Sequence, residues 1–356
     1  MATLNIHLGP LRSNLDHVAE FCRVRNLDFL PVTKVIQSRP SILNALAHPS
    51  LRRMADIHWR NLAALEPSVH TDRAILRPLF AEAERQASHA TRVFLSNSAL
   101  ALHLARARAS LRLGTPLRVM VMVEAGDLRD GVPWDELPGV VRTLAAEPGL
   151  EVAGLAANFG CLAGVVPDSA SLDRMAEGLR KVRRLTGHPL PAFSIGGTVV
   201  WDLLRDHGSP PEFTELRLGE AVFFGRNTTL DSDIPELSSD VFSMDLEVLE
   251  VWDKFVPSVP EGPMGLNAFG DQPVHIFSGC RRRATLDGGE NLAPLRALIP
   301  QASGIVPVGA THEYTVVDCT GAVGPVVPGT KMSFHPRYES IVRCFLSPHL
   351  NLVVGE

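Results

Sequence analysis

The sequence predicts a (β/α)8 TIM-type barrel followed by a C-terminal all-β domain, an α/β architecture. Two observations predict it. Eight short apolar segments alternate with stretches of helical apolar spacing up to about residue 230. Beyond Asn227, β-branched runs are interrupted by proline and glycine about every ten residues, which is typical of β-barrels and β-sandwiches. We therefore expect a barrel at residues 10–230 and a β domain at 231–356 that includes residues 1–9.

The alternation defines the elements of the barrel in order. The predicted strands are residues 29–35, 54–59, 74–79, 91–97, 117–125, 151–159, 191–196 and 216–224. The predicted helices between them include 40–47, 81–87, 99–113, 135–146, 171–185 and 199–207. An open doubly wound sheet is the alternative fold, but such sheets usually have about five or six strands and a GxGxxG turn after the first strand, which this sequence lacks.

Charge and composition narrow the possible partners. The 34 basic and 39 acidic residues give a net charge of −5, which argues against a nucleic-acid partner. The five cysteines have no metal-ligand spacing, as expected for reduced thiols in the cytoplasm. We find neither a signal-like start nor an apolar run of 18 residues, so we expect neither export nor membrane insertion.

Polar residues gather at the predicted carboxyl ends of the strands, where barrel enzymes carry their active sites. Lys34 ends the first predicted strand, and a buried ammonium must pair, lose its proton, react or extend to the surface. Any single polar residue here can also cap a helix or satisfy a loop. The residues that end other predicted strands are Asp56, His58, Arg77, Asn97 and Asn158. Glu124 and Arg129 follow the fifth strand, and Arg217 with Gly225-Arg226 brackets the eighth.

The turn after the seventh predicted strand, Gly196-Gly197-Thr198, adds a second signal. Two glycines before a helix allow backbone N–H groups to face an anion, and the loops after strands seven and eight of TIM barrels commonly bind phosphate. Alternatively, this turn is only a tight connection. Together with a strand-end lysine it suggests a phosphorylated cofactor that a lysine can bind covalently, and pyridoxal 5'-phosphate fits both requirements.

Several motifs carry a family resemblance over nearly the whole chain. They are Val-Thr-Lys-Val at 32–35, Met-Val-Glu-Ala-Gly-Asp-Leu-Arg-Asp-Gly at 122–131, Asn-Phe-Gly-Cys at 158–161, Ser-Ile-Gly-Gly-Thr at 194–198 and Leu-Arg-Leu-Gly-Glu-Ala at 216–221. The chain resembles the alanine racemase-like family of pyridoxal-phosphate enzymes (fold type III), and within it the ornithine racemase branch. The resemblance implies a cofactor-binding barrel, a C-terminal β domain and a head-to-tail homodimer in which each β domain contributes to the partner's active site.

The resemblance also implies roles for cofactor-binding residues. Lys34 matches the lysine that binds the cofactor covalently, and Arg217 matches the arginine that donates to the pyridine nitrogen. Asn158 stands where alanine racemases carry a histidine beside the ring, and asparagine is usual in the ornithine racemase branch. Tyr338 matches a tyrosine that contacts the phosphate. A core tyrosine is the alternative for Tyr338.

Three further residues are candidates for contacting the substrate. Arg129 resembles an arginine near the substrate carboxylate, and its alternative is a surface arginine. His312 and Glu313 lie in a segment similar to the loop in which related decarboxylases carry a catalytic cysteine and a substrate-binding acid. His312 is thus a candidate for proton transfer opposite Lys34, and Glu313 for binding a distal cation. The ornithine racemase branch usually has serine and aspartate at these two positions, so the side chain of the substrate stays open.

The expected function is a pyridoxal-phosphate-dependent amino-acid racemase that transfers the Cα proton with two bases, with a basic amino acid such as ornithine as the implied substrate. A decarboxylase or lyase on the same scaffold is the alternative. A non-catalytic cofactor carrier is the third possibility.

Overall fold

A computed structural model gives the structure of the chain and describes residues 1–258, 262–267, 269–271 and 277–356. Contacts between residues divide the chain into two compact units. The first unit is Pro10–Ser239, and the second is Met1–Gly9 with Asp240–Glu356. The sequence placed the boundary after residue 230. Residues 226–227 pair with residues 232–233, which holds this segment to the first unit.

The elements alternate regularly through the first unit. In chain order they are β1 (Thr3–His7, in the second unit), α1 (Leu8–Arg23), β2 (Asp28–Pro31), α2 (Pro40–Leu46), β3 (Arg53–Asp56), α3 (Trp59–Ala63), β4 (Asp72–Ile75), α4 (Ala83–His89), β5 (Arg92–Leu95), α5 (Ser98–Ser110), β6 (Leu117–Met122), α6 (Leu137–Ala145), β7 (Leu150–Asn158), α7 (Ser169–Thr186), β8 (Ala192–Gly196), α8 (Trp201–His207), β9 (Glu215–Leu218), α9 (Glu220–Phe224), β10 (Arg226–Asn227) and β11 (Ser232–Asp233). Two 3-10 turns matter for the site, Lys34–Ile36 and Thr198–Val200.

Strands β2 to β9 form one parallel sheet in the order β2-β9-β8-β7-β6-β5-β4-β3. A parallel bridge between Val32 and Ala55 links its two ends, so the sheet nearly closes into a barrel. Parallel strands need helical crossovers that cover the outside of the barrel. The interior is filled by buried side chains that include Leu30, Phe94 and Met120. The predicted TIM-type barrel is confirmed, and all eight predicted strands exist.

Seven of the eight predicted strands extend past the observed strand ends, and the first and last strands show the reason. The first ends at Pro31 rather than at residue 35, because hydrogen bonds between Thr33 and Ser38 close a turn there. The last ends at Leu218, and residues 220–224 form helix α9. Four residues of α9 are buried, and a short helix that is apolar on every side has the same sequence pattern as a buried strand.

The second unit is a mostly antiparallel sheet. Its further elements are β12 (Phe242–Val256), β13 (Gly279–Asp287), β14 (Leu298–Pro300), β15 (Val306–Ala310), β16 (Tyr314–Asp318), β17 (Lys331–Pro336), α10 (Tyr338–Leu346) and β18 (Asn351–Gly355). The strand order is β14-β17-β12-β13-β16-β15, with β1 paired to β12 and, in parallel, to β18. This is the predicted strand-rich domain, but its described residues also include an α-helix, α10, which the sequence analysis missed. Among the described residues, no helix is both long and apolar enough to cross a membrane.

Candidate active site

Three candidate residues lie side by side where neighbouring barrel strands end. The strand register places Asn158 opposite Gly196, and Gly196 opposite Arg217. A Cβ atom added to Gly196 would lie 2.6 Å from Nη2 of Arg217 and 2.9 Å from Oδ1 of Asn158. The two side chains therefore converge on the space that this glycine leaves free.

Arg217 is buried, and hydrogen bonds hold its guanidinium in place. Its Nη1 donates to the backbone oxygen of Ser194 at 2.9 Å and to the Ser194 hydroxyl at 2.7 Å, and its Nη2 donates to the backbone oxygen of Ala157 at 2.7 Å. The guanidinium also lies over the ring of Phe94, 4.7 Å from its centroid. Burial lowers the pKa of Arg217 to about 10, so this side chain still carries its charge at neutral pH.

Lys34 stands at the rim of the same barrel, although it does not end a strand as predicted. It opens the 3-10 turn Lys34–Ile36, three residues after β2. Its side chain keeps contact with solvent. Burial nevertheless lowers the pKa of Lys34, and the Arg129 guanidinium lowers it further, against the opposing influence of Cys161. The neutral, nucleophilic form of this amine is therefore more accessible than in a free lysine.

Arg129 lies in the loop after β6 and pairs with Asp130, with Nη2 and Oδ1 3.1 Å apart. Burial lowers the pKa of Arg129, but the charge of Asp130 and contact with Cys161 outweigh it and raise that pKa. Asp127 joins this loop to the loop after β7, because its Oδ1 accepts from the backbone N–H groups of Cys161 at 3.0 Å and Leu162 at 2.9 Å.

The glycine turn follows β8 as predicted. Gly197 has φ of +111°, and a Cβ there would lie 2.4 Å from the backbone oxygen of Phe159, so the turn requires glycine for close packing. Thr198 is buried, and its hydroxyl accepts from the backbone N–H of Ala221 at 3.2 Å. This bond ties the loop after β8 to helix α9.

A model of the family described as "Alanine racemase, N-terminal domain" matches residues 6–227, well over half of the chain. The chain belongs to the alanine racemase family. This membership confirms the resemblance on which the sequence interpretation rested.

Relatives of the family extend the match to nearly the whole chain. A lysine racemase from Thermotoga maritima is 28% identical over 352 residues, which cover 98% of this chain and 97% of the relative. An ornithine racemase from Acetoanaerobium sticklandii is 27% identical over 350 residues, 98% of each chain. The structure of an alanine racemase from Bartonella henselae with covalently bound pyridoxal phosphate aligns with a TM-score of 0.72 at 15% identity, covering 99% of both chains. As a member of this family with these relatives, the protein is an amino-acid racemase.

The other three candidate residues of this racemase lie in the strand-rich unit. His312 is exposed between β15 and β16, with its ring edge-on to Phe269 at 4.8 Å between centroids. Glu313 accepts a hydrogen bond from Asn291 at 2.7 Å. Tyr338 is the first residue of α10. Their contribution to the active site remains a prediction.

Several other strand-end residues have local structural roles in the racemase. The Asn97 side chain caps α5 by accepting from the Leu100 N–H at 3.1 Å. Asp56 accepts from Ser38 at 2.7 Å and from the backbone N–H of His58 at 2.9 Å, and it thereby holds the turn beside Lys34. His58 does not end the second strand as predicted but precedes helix α3.

Sequence reasoning missed Ser194 and Glu215, which lie on the strands beneath Arg217. Glu215 precedes Arg217 by two residues, and alternate residues of a strand share a face. Two charged residues at this spacing in an otherwise apolar strand indicate that both point into the barrel. That signal was available in the sequence Glu215-Leu216-Arg217-Leu218.

Proposed function

We propose that the protein is a pyridoxal-phosphate-dependent racemase of a basic amino acid that moves the Cα proton with one residue on each face. The observation that carries the proposal is the buried guanidinium of Arg217, fixed in place beneath a barrel rim that bears Lys34 with its lowered pKa. The lysine and ornithine racemases at 28% and 27% identity support the choice of substrate class.

The residues at the barrel mouth fit this cofactor. The missing side chain of Gly196 leaves open a space bordered by Arg217 and Asn158. In the proposal, Lys34 would hold the cofactor aldehyde, Arg217 would donate to the pyridine nitrogen and Asn158 would lie beside the ring. The turn Gly196-Gly197-Thr198 and Tyr338 would hold the phosphate. When bound, pyridoxal 5'-phosphate supplies the electron withdrawal that makes the Cα–H of an attached amino acid acidic.

Arg217 favours racemisation over decarboxylation. A guanidinium donates hydrogen bonds but has no lone pair with which to accept one. It would therefore hold a pyridine nitrogen without a proton, and the electron withdrawal supplied by the cofactor would be weaker. Weaker withdrawal suits brief removal of a Cα proton better than loss of a carboxylate.

Proton transfer needs a group on each face of Cα. The amine of Lys34 serves one face, since its lowered pKa makes the neutral base available. We propose His312 for the opposite face. Arg129 binds the substrate carboxylate with its planar pair of donors, and Glu313 binds the distal ammonium. In the proposed head-to-tail homodimer, the β domain of the second copy brings His312, Glu313 and Tyr338 to the site.

Hydrogen exchange tests the proposal. Purified protein with pyridoxal 5'-phosphate is incubated in deuterated water with single enantiomers of lysine, ornithine, arginine and alanine, and Cα deuterium and chirality are measured. We expect exchange with inversion for a basic amino acid and none with K34A. Release of carbon dioxide or an aldehyde would favour the decarboxylase or lyase alternative. Cofactor binding without turnover of any of these amino acids would overturn the proposal.

A further inference from the structure

A hydrogen-bonded chain lies beneath Arg217 inside the barrel. The hydroxyl of Ser194 lies 2.7 Å from Nη1 of Arg217 and 2.6 Å from Oε1 of Glu215. A guanidinium can only donate and a carboxylate can only accept. The Ser194 hydroxyl therefore accepts from Arg217 and donates to Glu215, which fixes the direction of both hydrogen bonds.

Glu215 is itself held firmly. It is 2% exposed, and its second oxygen accepts from Arg92 at 2.7 Å and from Arg53 at 2.9 Å. These arginines begin strands β5 and β3, so their salt bridges join distant parts of the barrel. Strand register places Ser194 directly opposite Glu215. The hydrogen-bonded chain from Arg217 through Ser194 to Glu215 is thus fixed to several strands of the barrel.

This anchoring determines which donors of Arg217 are free. The hydrogen bonds to Ser194 use both hydrogens of Nη1, and the bond to Ala157 uses one hydrogen of Nη2. Among the described contacts of Arg217, this leaves the second Nη2 hydrogen and the Nε hydrogen. Nη2 is the atom nearest to the space left by Gly196. The guanidinium therefore keeps one unused donor, on Nη2, beside the space at Gly196.

We propose that Glu215 is a positioning residue that acts through Ser194 to hold the guanidinium of Arg217 in the orientation needed to donate to the cofactor ring. The inference rests on the proposed function, since it assigns Arg217 to the pyridine nitrogen. The negative charge of Glu215 also raises the pKa of Arg217 against the larger lowering by burial. Arg53 and Arg92 hold Glu215 through its second oxygen, which does not bond to Ser194.

Four variants distinguish a role of Glu215 in positioning Arg217 from a role in stabilising the fold alone. S194A removes the connecting hydroxyl but leaves Glu215 paired with both arginines, and S194T restores a hydroxyl. E215Q removes the charge at the base of the chain. R53K is the matched control, because it disturbs a salt bridge of Glu215 on the partly exposed side, away from Ser194. For each protein we would measure the melting temperature, the absorption and fluorescence of bound pyridoxal 5'-phosphate, and kcat and KM.

We expect S194A and E215Q to shift the spectrum of the bound cofactor and to lower kcat about 10- to 100-fold, with KM changed less than about threefold. S194T should recover the wild-type spectrum. R53K should lower the melting temperature without a spectral shift. The positioning role is overturned if S194A and E215Q melt earlier yet keep the wild-type spectrum and kcat. A wild-type protein that binds no cofactor would instead overturn the proposed function and this role with it, so the two failures are distinguishable.

Discussion

Gly196 lies directly opposite Arg217 in the register of two neighbouring parallel strands, and a Cβ on Gly196 would lie 2.6 Å from Nη2 of Arg217. Atoms at that distance collide, so one of the two groups would have to move. The hydrogen bonds of Arg217 to Ser194 and Ala157 oppose such a movement. The glycine is therefore needed because of the arginine.

We accordingly expect G196A to reduce cofactor affinity at least about tenfold and to destabilise the protein by about 1–3 kcal/mol, since the added methyl overpacks a buried site. Titration with pyridoxal 5'-phosphate and urea unfolding measure the two effects. G139A is the matched control, because Gly139 is exposed in α6 and a Cβ there meets no atom within 4 Å. It should leave affinity unchanged and stabilise the helix by about 0.5–1 kcal/mol. Equal cofactor affinity in G196A and wild type would contradict the argument.

Apolar periodicity predicted the existence of all eight barrel strands but not their ends. Local hydrogen bonds decide where a strand stops, as between Thr33 and Ser38, and a run of apolar residues carries no record of them. For the same reason, the sequence analysis took helix α9 for the end of the eighth strand. Helix α10 was missed because nine residues among many strands give too short a helical pattern.

The site was predictable in part. Asn158, Gly196 and Arg217 stand at strand ends, and the family motifs include all three. The spacing of Glu215 and Arg217 was visible in the sequence, but the salt bridges of Glu215 to Arg53 and Arg92 could not be predicted, since these residues are far apart in sequence and meet only when the barrel closes. Pairs of this kind depend on strand order, which periodicity does not encode.

The lowered pKa of Lys34 gives a test of stability against pH. The folded chain releases this proton below the ordinary value of 10.5, so the free energy of unfolding rises with pH between the folded and unfolded pKa values. Below the folded pKa of Lys34, its ammonium lowers the free energy of unfolding, because the folded chain partly removes it from water. We expect apo K34M to melt about 1–2 °C above wild type at pH 7, a small gain because the side chain keeps contact with solvent.

This difference between K34M and wild type should shrink as the pH rises past the folded pKa of Lys34. Thermal melts of the apoprotein from pH 7 to pH 10 measure it. K181M, which removes an exposed lysine from α7, should show no such trend. A K34M protein less stable than wild type at pH 7 would show that the ammonium stabilises the fold, the opposite of what its burial predicts.

Asp127 holds two loops of the barrel mouth together. Its Oδ1 accepts from three successive backbone N–H groups, those of Cys161, Leu162 and Ala163. We expect D127A to destabilise the protein by about 1–3 kcal/mol, because these donors lose their acceptor. KM should also rise, since the loop that carries Arg129 loses its anchor. Urea unfolding and steady-state kinetics measure the two effects.

D168A provides the comparison for this prediction. Asp168 also accepts from a backbone N–H, that of Ser171 at 2.7 Å, but it caps α7. Its loss should cost about 1 kcal/mol and leave KM unchanged. A KM that responds equally to both substitutions would show that general loosening, rather than the loop anchor, changes substrate binding.

The cysteines give a test that reports on the barrel mouth directly. Burial raises the pKa of Cys22 and of Cys344 to about 12 each, so these thiols should not react with iodoacetamide at pH 8. Cys161 and Cys280 are exposed, and Cys161 lies near Lys34 and Arg129. We expect peptide mass spectrometry to find alkylation at both exposed cysteines in the apoprotein. Pyridoxal 5'-phosphate should slow alkylation of Cys161 at least about tenfold relative to Cys280, because a group bound to Lys34 covers the neighbouring thiol. Equal protection of both cysteines, or of neither, would place the bound group elsewhere.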